Sequence, residues 1–407
     1  MFIYDLAINI LPQGIKLLAC FKEKERKLAE GQKSVFSYLK ENIDPNASYI
    51  WFHASSLGEF EQGRPMIEKI RKEHPEYRII LTFFSPSGYE VRKNYPLADI
   101  ICYLPFDTKR NVERFLDLVK PKMAIFIKYE FWLNYLQGLH KRNIPTYIIS
   151  AIFRPQQLFF KPHGGWYRRM LGYFNHIYLQ DENSKQLLES IGIRNVTVCG
   201  DTRFDRVIEI QQQAKEIPLA ENFAKDQNIL IAGSSWPKDE EIFIPYFNQN
   251  KEIKLIIAPH EIHESHLKDI ESKLERPSIR FSKATPENIA SADCLIMDCF
   301  GMLSSVYRYG KVAYIGGGFG TGIHNILEAA VYGMPVIWGP NFVKFREAKG
   351  LIKAGGGFSI DNETDFNQLC NRLFGEKDYL SEVSCKSYNF VADNSGATEV
   401  IYHNLFE

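Results

Sequence analysis

The sequence predicts an α/β protein built from two doubly wound, Rossmann-like halves. Short β-rich apolar runs alternate with helical patterns through most of the chain, as parallel sheets made of βαβ units require. The runs stop at a polar helical stretch, Arg206–Lys225, and restart at Ile229. In the second series Gly316–Glu328 (GGGFGTGIHNILE) follows the apolar run Val312–Ile315 and leads into AAVYGMPVIWGP, a pattern of strand, glycine turn and helix. At 407 residues the chain exceeds the roughly 250 at which single cores stop growing, so more than one domain is expected.

The first element is FIYDLAINILPQGIKLLACF. Asp5, Asn9, Gln13 and Lys16 fall on one helical stripe and Ile3, Leu6, Ile10, Leu17 and Leu18 fall largely elsewhere, an amphipathic helix interrupted near Pro12. Lys22, Lys24, Arg26, Lys27 and Lys33 follow, and no small-residue cleavage site of a secretory signal is present. Residues 1–34 are therefore read as a helix lying in the cytoplasmic membrane interface, with docking on its own domain as the alternative. Strands are expected at Tyr49–Ala54, Arg78–Phe84, Ile100–Leu104, Met123–Lys128, Thr146–Ser150, His176–Gln180 and Val196–Cys199 within a first domain, 35–205. A second domain, 206–385, carries strands at Ile229–Ala232, Lys254–Ala258, Ile279–Ser282, Cys294–Met297, Val312–Ile315 and Val336–Trp338. Residues 386–407 are expected to form a helix packing back on the first domain. The two domains are expected to face a cleft, with ligands beyond the carboxyl ends of the strands.

Formal net charge is zero, so nothing global points to nucleic acid. The seven cysteines form no CxxC pair and are odd in number, which fits reduced thiols in the cytosol.

Chemistry is sought at strand ends. After YIWFHA come Ser55, Ser56, Gly58 and Glu59, where a carboxylate could accept a proton from an attacking hydroxyl, or simply stabilise the first turn of a helix. IFIKYEFWLN places Glu130 among aromatics, a costly position unless the charge is paired or used. VTVCGDTRFDRV holds Arg203 between Asp201 and Asp205, able to meet a carboxylate or phosphate or to pair with those aspartates. FRPQQLFFKPHGGWYRRM interleaves Phe159, Phe160, Trp166 and Tyr167 with Lys161, Arg168 and Arg169, suited to a lipid headgroup zone or to packing on the domain surface.

In the second series Pro259 and His260 end a strand. The histidines of IIAPHEIHESH stand three apart, whereas HExxH needs four, so no metal site is read there. Gly301, Met302 and Leu303 form another strand-end loop. The GGGFGTGIHNILE loop fails the GxGxxG fingerprint, because positions 319, 321 and 323 are Phe, Thr and Ile, and it contains no Walker sequence. It is read as a phosphate site near Gly320–His324, with Glu328 one helical turn beyond Asn325 and within reach of an attached ribose.

HASSLGE, the Glu of KYEFWLN, GDTRFD, the strand-end PH, DCFGML and GGGFGTGIHNILEAAVYGMPVIWGP occur in the order seen in the transferases of 3-deoxy-D-manno-octulosonate (Kdo) that act in lipid A assembly. The chain resembles that family over nearly its whole length. The resemblance implies a two-domain GT-B glycosyltransferase fold and inverting transfer of Kdo from CMP-Kdo to the 6'-hydroxyl of a lipid A precursor (lipid IVA) in lipopolysaccharide core biosynthesis. It implies a peripheral, monotopic location on the cytoplasmic face of the bacterial inner membrane, with no metal and no cofactor. Glu59 would be the general base, and Glu130 and Arg203 would stabilise the transition state. Pro259, His260, Gly301, Met302, Leu303, Asn325, Ile326, Leu327 and Glu328 would contact CMP-Kdo, and Ser55, Ser56, Lys161, Trp166, Arg168 and Arg169 are candidates for acceptor or membrane contact. The family usually has Arg at 260, Glu at 302 and Lys at 203, so this chain departs from its donor-binding pattern. A GT-B transferase using a UDP-sugar, or a non-catalytic membrane-associated scaffold, are the alternatives, and the nucleotide that protects the protein against heat discriminates them.

Overall fold

The computed structural model describes residues 2–407, with side-chain surroundings from Tyr4 onward. The chain forms two compact units, one made of the chain up to Arg206 together with Ser395–Glu407, the other of Val207–Asn394.

The first unit is a wholly parallel sheet of β1 (Ser48–Ala54), β2 (Tyr77–Phe83), β3 (Ile100–Tyr103), β4 (Met123–Ile127), β5 (Thr146–Ala151), β6 (His176–Leu179) and β7 (Val196–Val198). Strand order is β3-β2-β1-β4-β5-β6-β7, so the winding reverses between β1 and β4. Its central strands read as unbroken apolar runs because helices cover both faces. Ile50, Phe52, Ile79, Leu81 and Ile125 pack to one side and Trp51, Ile80 and Phe126 to the other.

The second unit repeats the architecture with β8 (Asn228–Ser235), β9 (Ile253–Pro259), β10 (Ser278–Arg280), β11 (Cys294–Ile296), β12 (Val312–Ile315), β13 (Val336–Trp338) and β14 (Gly357–Ser359). The order is β10-β11-β9-β8-β12-β13-β14, with the reversal between β8 and β12. The edge strand β14 was not expected. Its sequence, GFS after two further glycines, lacks the β-branched run that marks the others, and pairing with β13 makes it a strand.

The N-terminal helix, Phe2–Leu18, runs through Pro12 without interruption. The missing N–H is tolerated because anchors on both sides of Pro12 hold the helix to the first unit. Ile8 and Ile15 are buried, and the Tyr4 hydroxyl donates to Asp107 Oδ2 at 2.6 Å. Asp5 faces this interface rather than water. It pairs with Lys109 at 2.7 Å and accepts from Asn134 Nδ2 at 3.2 Å. Burial pushes the Asp107 carboxyl up to about 7. Opposite the docked face, Leu6, Ile10 and Leu17 are 51%, 53% and 69% exposed. Among the described residues no helix is long and apolar enough to cross a membrane.

The return to the first unit falls at Ser395, later than the expected 386, because the helix Lys377–Asp393 belongs to the second unit. Asp205 holds the returning segment. Its carboxylate accepts from the N–H groups of Gly396 (2.5 Å) and Thr398 (2.7 Å) and from the Thr398 hydroxyl (2.6 Å), capping the helix Ala397–Phe406.

Candidate active site

The carboxyl ends of β1 and β4 meet where the winding of the first sheet reverses, the place where open α/β sheets bind ligands. Glu59 follows β1 and Glu130 follows β4, so the fold brings both sequence-predicted carboxylates to this point. Ser56 and Glu59 form a capping box on the helix Leu57–Glu73, in which Glu59 Oε2 accepts from the Ser56 N–H at 2.9 Å and lies 3.2 Å from its hydroxyl. Glu59 Oε1 takes no hydrogen bond among the described residues. Burial raises the Glu59 carboxyl above its ordinary range, and the Glu130 carboxylate raises it further against the pull of the Ser56 N–H and His53.

Glu130 is 6% exposed and finds its partners in residues that sequence reasoning did not single out. Its Oε2 lies 2.9 Å from His53 Nε2 and accepts from Trp132 Nε1 at 2.6 Å. His53, on β1, is fully enclosed, and its Nδ1 meets the Thr82 carbonyl at 3.1 Å and the Thr82 hydroxyl at 2.9 Å. A polar residue inside an apolar strand was the available signal, but nothing local tied it to a carboxylate in a different βα loop.

Arg203 lies against Asp201, with Nε and an Nη at 2.9 and 2.8 Å from Oδ2 and its N–H at 3.0 Å from Oδ1. Burial would raise the Asp201 carboxyl, but Arg203 outweighs it, helped by Lys128 on the loop that carries Glu130, and holds it low. The cation is thus already partnered by an aspartate, and its side chain remains 30% exposed. Asp205, expected as a second flank, is instead turned to the C-terminal helix.

The segment with interleaved aromatics is largely built into the domain. Phe159 is buried, and Phe160, Trp166 and Tyr167 pack against the core of the first unit. Arg168 closes its own loop by donating to the carbonyls of Phe159 and Lys161, both at 2.8 Å. Arg169 is exposed and Lys161 half-exposed, while Ser55 gives its carbonyl to the Ser85 N–H at 2.7 Å.

In the second unit the glycine loop follows β12 at the other reversal point. It folds on itself, with the Gly320 and Gly322 N–H groups donating to the Gly317 carbonyl at 2.9 and 3.1 Å. Gly317, at φ 92°, gives its N–H to Asp239 Oδ2 at 2.9 Å, so a carboxylate of the protein occupies the start of the loop. The following helix is shorter than expected, Leu327–Ala330, and Asn325 precedes it. Asn325 and Glu328 still meet, at 3.0 Å, because Asn325 Oδ1 receives the Leu327 N–H (3.2 Å) while its amide donates to Glu328. Ile326 and Leu327 are fully buried, backbone included.

His260, just after β9, stacks between Trp236 and His324, with ring centroids at 4.6 and 4.4 Å, and Trp236 Nε1 donates to His324 Nε2 at 3.2 Å. Burial and the neighbouring His260 push His324, at one end of the stack, down to about 4, so this ring stays neutral near neutral pH. Trp236 and Asp239 also border a cavity of about 360 Å³ with Gly317, Phe319, Gly320 and Thr321. Trp236 had not been expected at the site, whereas His324 ends the expected phosphate segment Gly320–His324. Gly301, at φ 82°, is exposed, Met302 and Leu303 are half-buried, and the Cys299 thiol contacts the Met302 sulfur at 3.3 Å.

The family profile of 3-deoxy-D-manno-octulosonic-acid transferases (kdotransferases) matches residues 25–206. A 3-deoxy-D-manno-octulosonic acid transferase of Aquifex aeolicus is 30% identical over 348 residues, covering 84% of this chain and 90% of its own. That of Chlamydophila psittaci is 26% identical over 340 residues, covering 80% and 77%. Among solved structures, UDP-GlcNAc 2-epimerase of Neisseria meningitidis superposes with a TM-score of 0.63 at 17% identity, covering 88% of this chain and 99% of its own. MurG of Acinetobacter baumannii gives 0.55 at 12% identity, covering 87% and 98%. These last two share the GT-B fold with the chain and carry no inference about substrate. With two wound sheets, carboxylates at one reversal point, a glycine loop at the other and relatives that match over most of both chains, the protein belongs to the family of 3-deoxy-D-manno-octulosonic acid transferases, which are glycosyltransferases.

Proposed function

We propose that the chain transfers Kdo from CMP-Kdo, with inversion, to the 6'-hydroxyl of the lipid A precursor lipid IVA in lipopolysaccharide core synthesis. The observation that carries this reading is the state of Glu59. It stands at the reversal point with Oε2 held by Ser56 and Oε1 open, and burial and Glu130 raise its carboxyl so that it is a stronger base than a solvated glutamate.

In this reading Glu59 Oε1 takes the proton of the acceptor hydroxyl as the oxygen attacks the anomeric carbon. The bond to CMP breaks as the new glycosidic bond forms, and positive charge builds on the sugar ring, where Glu130 and the Arg203–Asp201 pair set the field. CMP departs as a phosphate monoester, for which the exposed loop residues Thr321 and Asn325 and the His260 stack are the proposed neighbours. Gly301–Leu303 and Glu328 would complete the contacts to the nucleoside. Such a leaving group calls for no metal, unlike a pyrophosphate. The exposed stripe of Leu6, Ile10 and Leu17, followed by exposed Phe21, Lys22, Lys24 and Arg26, supports peripheral attachment to the anionic cytoplasmic face of the inner membrane.

Mass spectrometry of a tetraacyl lipid A precursor incubated with purified protein and CMP-Kdo tests the proposal. A mass increment of one or more Kdo residues is expected, with little product from Glu59→Gln. No product from folded wild type, beside a working control enzyme, sinks the assignment, and heat protection by UDP in place of CMP would then redirect the search to UDP-sugars.

A further inference from the structure

Among the described residues, Glu130 directs its protein contacts to one oxygen. His53 Nε2 and Trp132 Nε1 both meet Oε2, at 2.9 and 2.6 Å, and Oε1 takes no hydrogen bond. Oε1 is not among the orphaned buried atoms, so the small exposure left to the side chain, 8%, lies open to water or a ligand at this oxygen. The other end of the imidazole fixes the proton count. Nδ1 lies 3.1 Å from the Thr82 carbonyl, which can only accept, and the Thr82 hydroxyl already receives the Trp51 Nε1–H at 2.8 Å while itself lying 3.3 Å from the Phe52 carbonyl. A hydrogen on Nδ1 satisfies the carbonyl and the hydroxyl together, at 3.1 and 2.9 Å. With Nδ1 protonated, a neutral ring presents a lone pair at Nε2, and a lone pair facing a carboxylate oxygen at 2.9 Å is repulsive. Trp132 Nε1 also lies 3.1 Å from Nε2, but its indole hydrogen is spent on the shorter bond to Oε2 at 2.6 Å, so a proton between Nε2 and Oε2 is what relieves the repulsion.

We propose that His53 is a positioning residue for the transfer reaction, sharing one proton with Glu130 Oε2 and, together with Trp132, holding that carboxylate so that Oε1 alone faces the reacting sugar. The arrangement sets charge as well as position. The Glu130 carboxylate raises Glu59 and His53 opposes it, so the proton held between His53 and Glu130 moderates the field at the base across the β1–β4 reversal. Rigid attachment explains the cost of enclosing so many polar groups: β1, β2 and β4 each contribute a residue or a following loop, and the three strands are paired in register through His53, Thr82 and Phe126.

This inference rests on the reading of Glu130 as a group that acts on the reacting sugar. Its test uses His53→Phe, His53→Gln, Glu130→Gln and the double variant His53→Phe/Glu130→Gln in the full-length protein, with thermal melts as the folding control. His53→Phe is expected to lower kcat by roughly a hundredfold through loss of alignment, with KM for CMP-Kdo nearly unchanged. His53→Gln, whose amide can still donate to Oε2, should recover a substantial part of that loss. The double variant should be no slower than Glu130→Gln alone, because the pair acts as a unit. Wild-type kcat in His53→Phe, or losses that multiply in the double variant, would overturn the proposal. Nitrogen-15 spectra of histidine-labelled protein read the proton without turnover: a hydrogen on His53 Nδ1 and an Nε2 resonance that moves in Glu130→Gln are expected. An Nδ1 without hydrogen overturns the inference even in an active transferase, whereas the expected spectra in a protein that makes no Kdo product would refute the functional reading and not the shared proton.

Discussion

Replacing Glu59 separates the helix cap seen in the structure from the base role proposed for the same side chain. Its Oε2 caps a helix through the Ser56 N–H at 2.9 Å, and its open Oε1 is the proposed base. Glu59→Gln keeps a carbonyl oxygen for the cap and abolishes the base. Lost interaction of the charge with the helix N-terminus amounts to about 0.3–1 kcal/mol, offset in part by relief of burying that charge, so stability should change by less than about 1 kcal/mol. For a unit of this size that corresponds to a Tm shift of about 2–4 °C at most. Glu59→Ala removes the cap as well, at a cost of about 0.5–2 kcal/mol. Loss of a general base is worth about a hundredfold or more in turnover, and both variants should show it alike. The assay pairs calorimetric melts with initial rates of Kdo transfer across pH. Wild-type turnover should fall on acidification at a pH above the ordinary glutamate range, because burial and Glu130 raise the group and protonation removes the base. Near-normal turnover in Glu59→Gln would remove Glu59 from the chemistry. A dead Ala variant beside an active Gln variant would show that the cap, and not the base, matters.

Three further expectations follow from the geometry. Asp107 is raised in the folded state to about 7 from an ordinary value near 4, so the folded protein binds the extra proton and stability falls as pH rises through that window, by at most about 4 kcal/mol. Asp107→Asn should flatten that slope in denaturant melts, and an unchanged slope would contradict the assignment. His260→Arg supplies a charge at every pH next to the glycine loop and should tighten CMP binding at pH 8 by roughly tenfold in calorimetry, the worth of a hydrogen bond to a charged group. Equal affinity would mean that phosphate does not approach position 260. Replacing Leu6, Ile10 and Leu17 together by serine should weaken co-sedimentation with anionic vesicles by more than about tenfold without lowering Tm, since these side chains face away from the docked surface. Unchanged sedimentation would assign membrane contact elsewhere.

Much of the fold was legible because enclosed parallel strands read as apolar runs, and thirteen of the strands were located in sequence this way. β14 escaped because three residues after a glycine pair carry no periodicity. The N-terminal helix was read as amphipathic, and the structure uses two of its faces: Tyr4, Asp5, Ile8 and Ile15 dock, while Leu6, Ile10 and Leu17 stay outside. Sequence periodicity could not distinguish those apolar residues, since both sets differ from the polar stripe in the same way. Glu59 and Glu130 were singled out as candidates by their place at strand ends, and both do follow strands, β1 and β4. The capping box of Ser56 and Glu59 was also written in the sequence, as a hydroxyl residue followed three positions later by glutamate. His53 and Asp239 were out of reach, because their partners Glu130 and Gly317 lie 77 and 78 residues away.

The capping of the last helix by Asp205 has a consequence for how the chain is made. Lys69 reaches Glu399 across 330 residues of sequence, and His74 stacks on Phe406 with ring centroids 4.3 Å apart. Topologically the second unit is an insertion into the first. On the ribosome the later unit therefore has all of its residues before the earlier one does, reversing the usual N-terminal-first order of domain completion. Until the helix Ala397–Phe406 emerges, the first unit presents His74 and Tyr77 uncovered, an aromatic patch that Phe406 closes. Nascent chains stalled short of Ser395 should thus hold a finished second unit and an aggregation-prone first one.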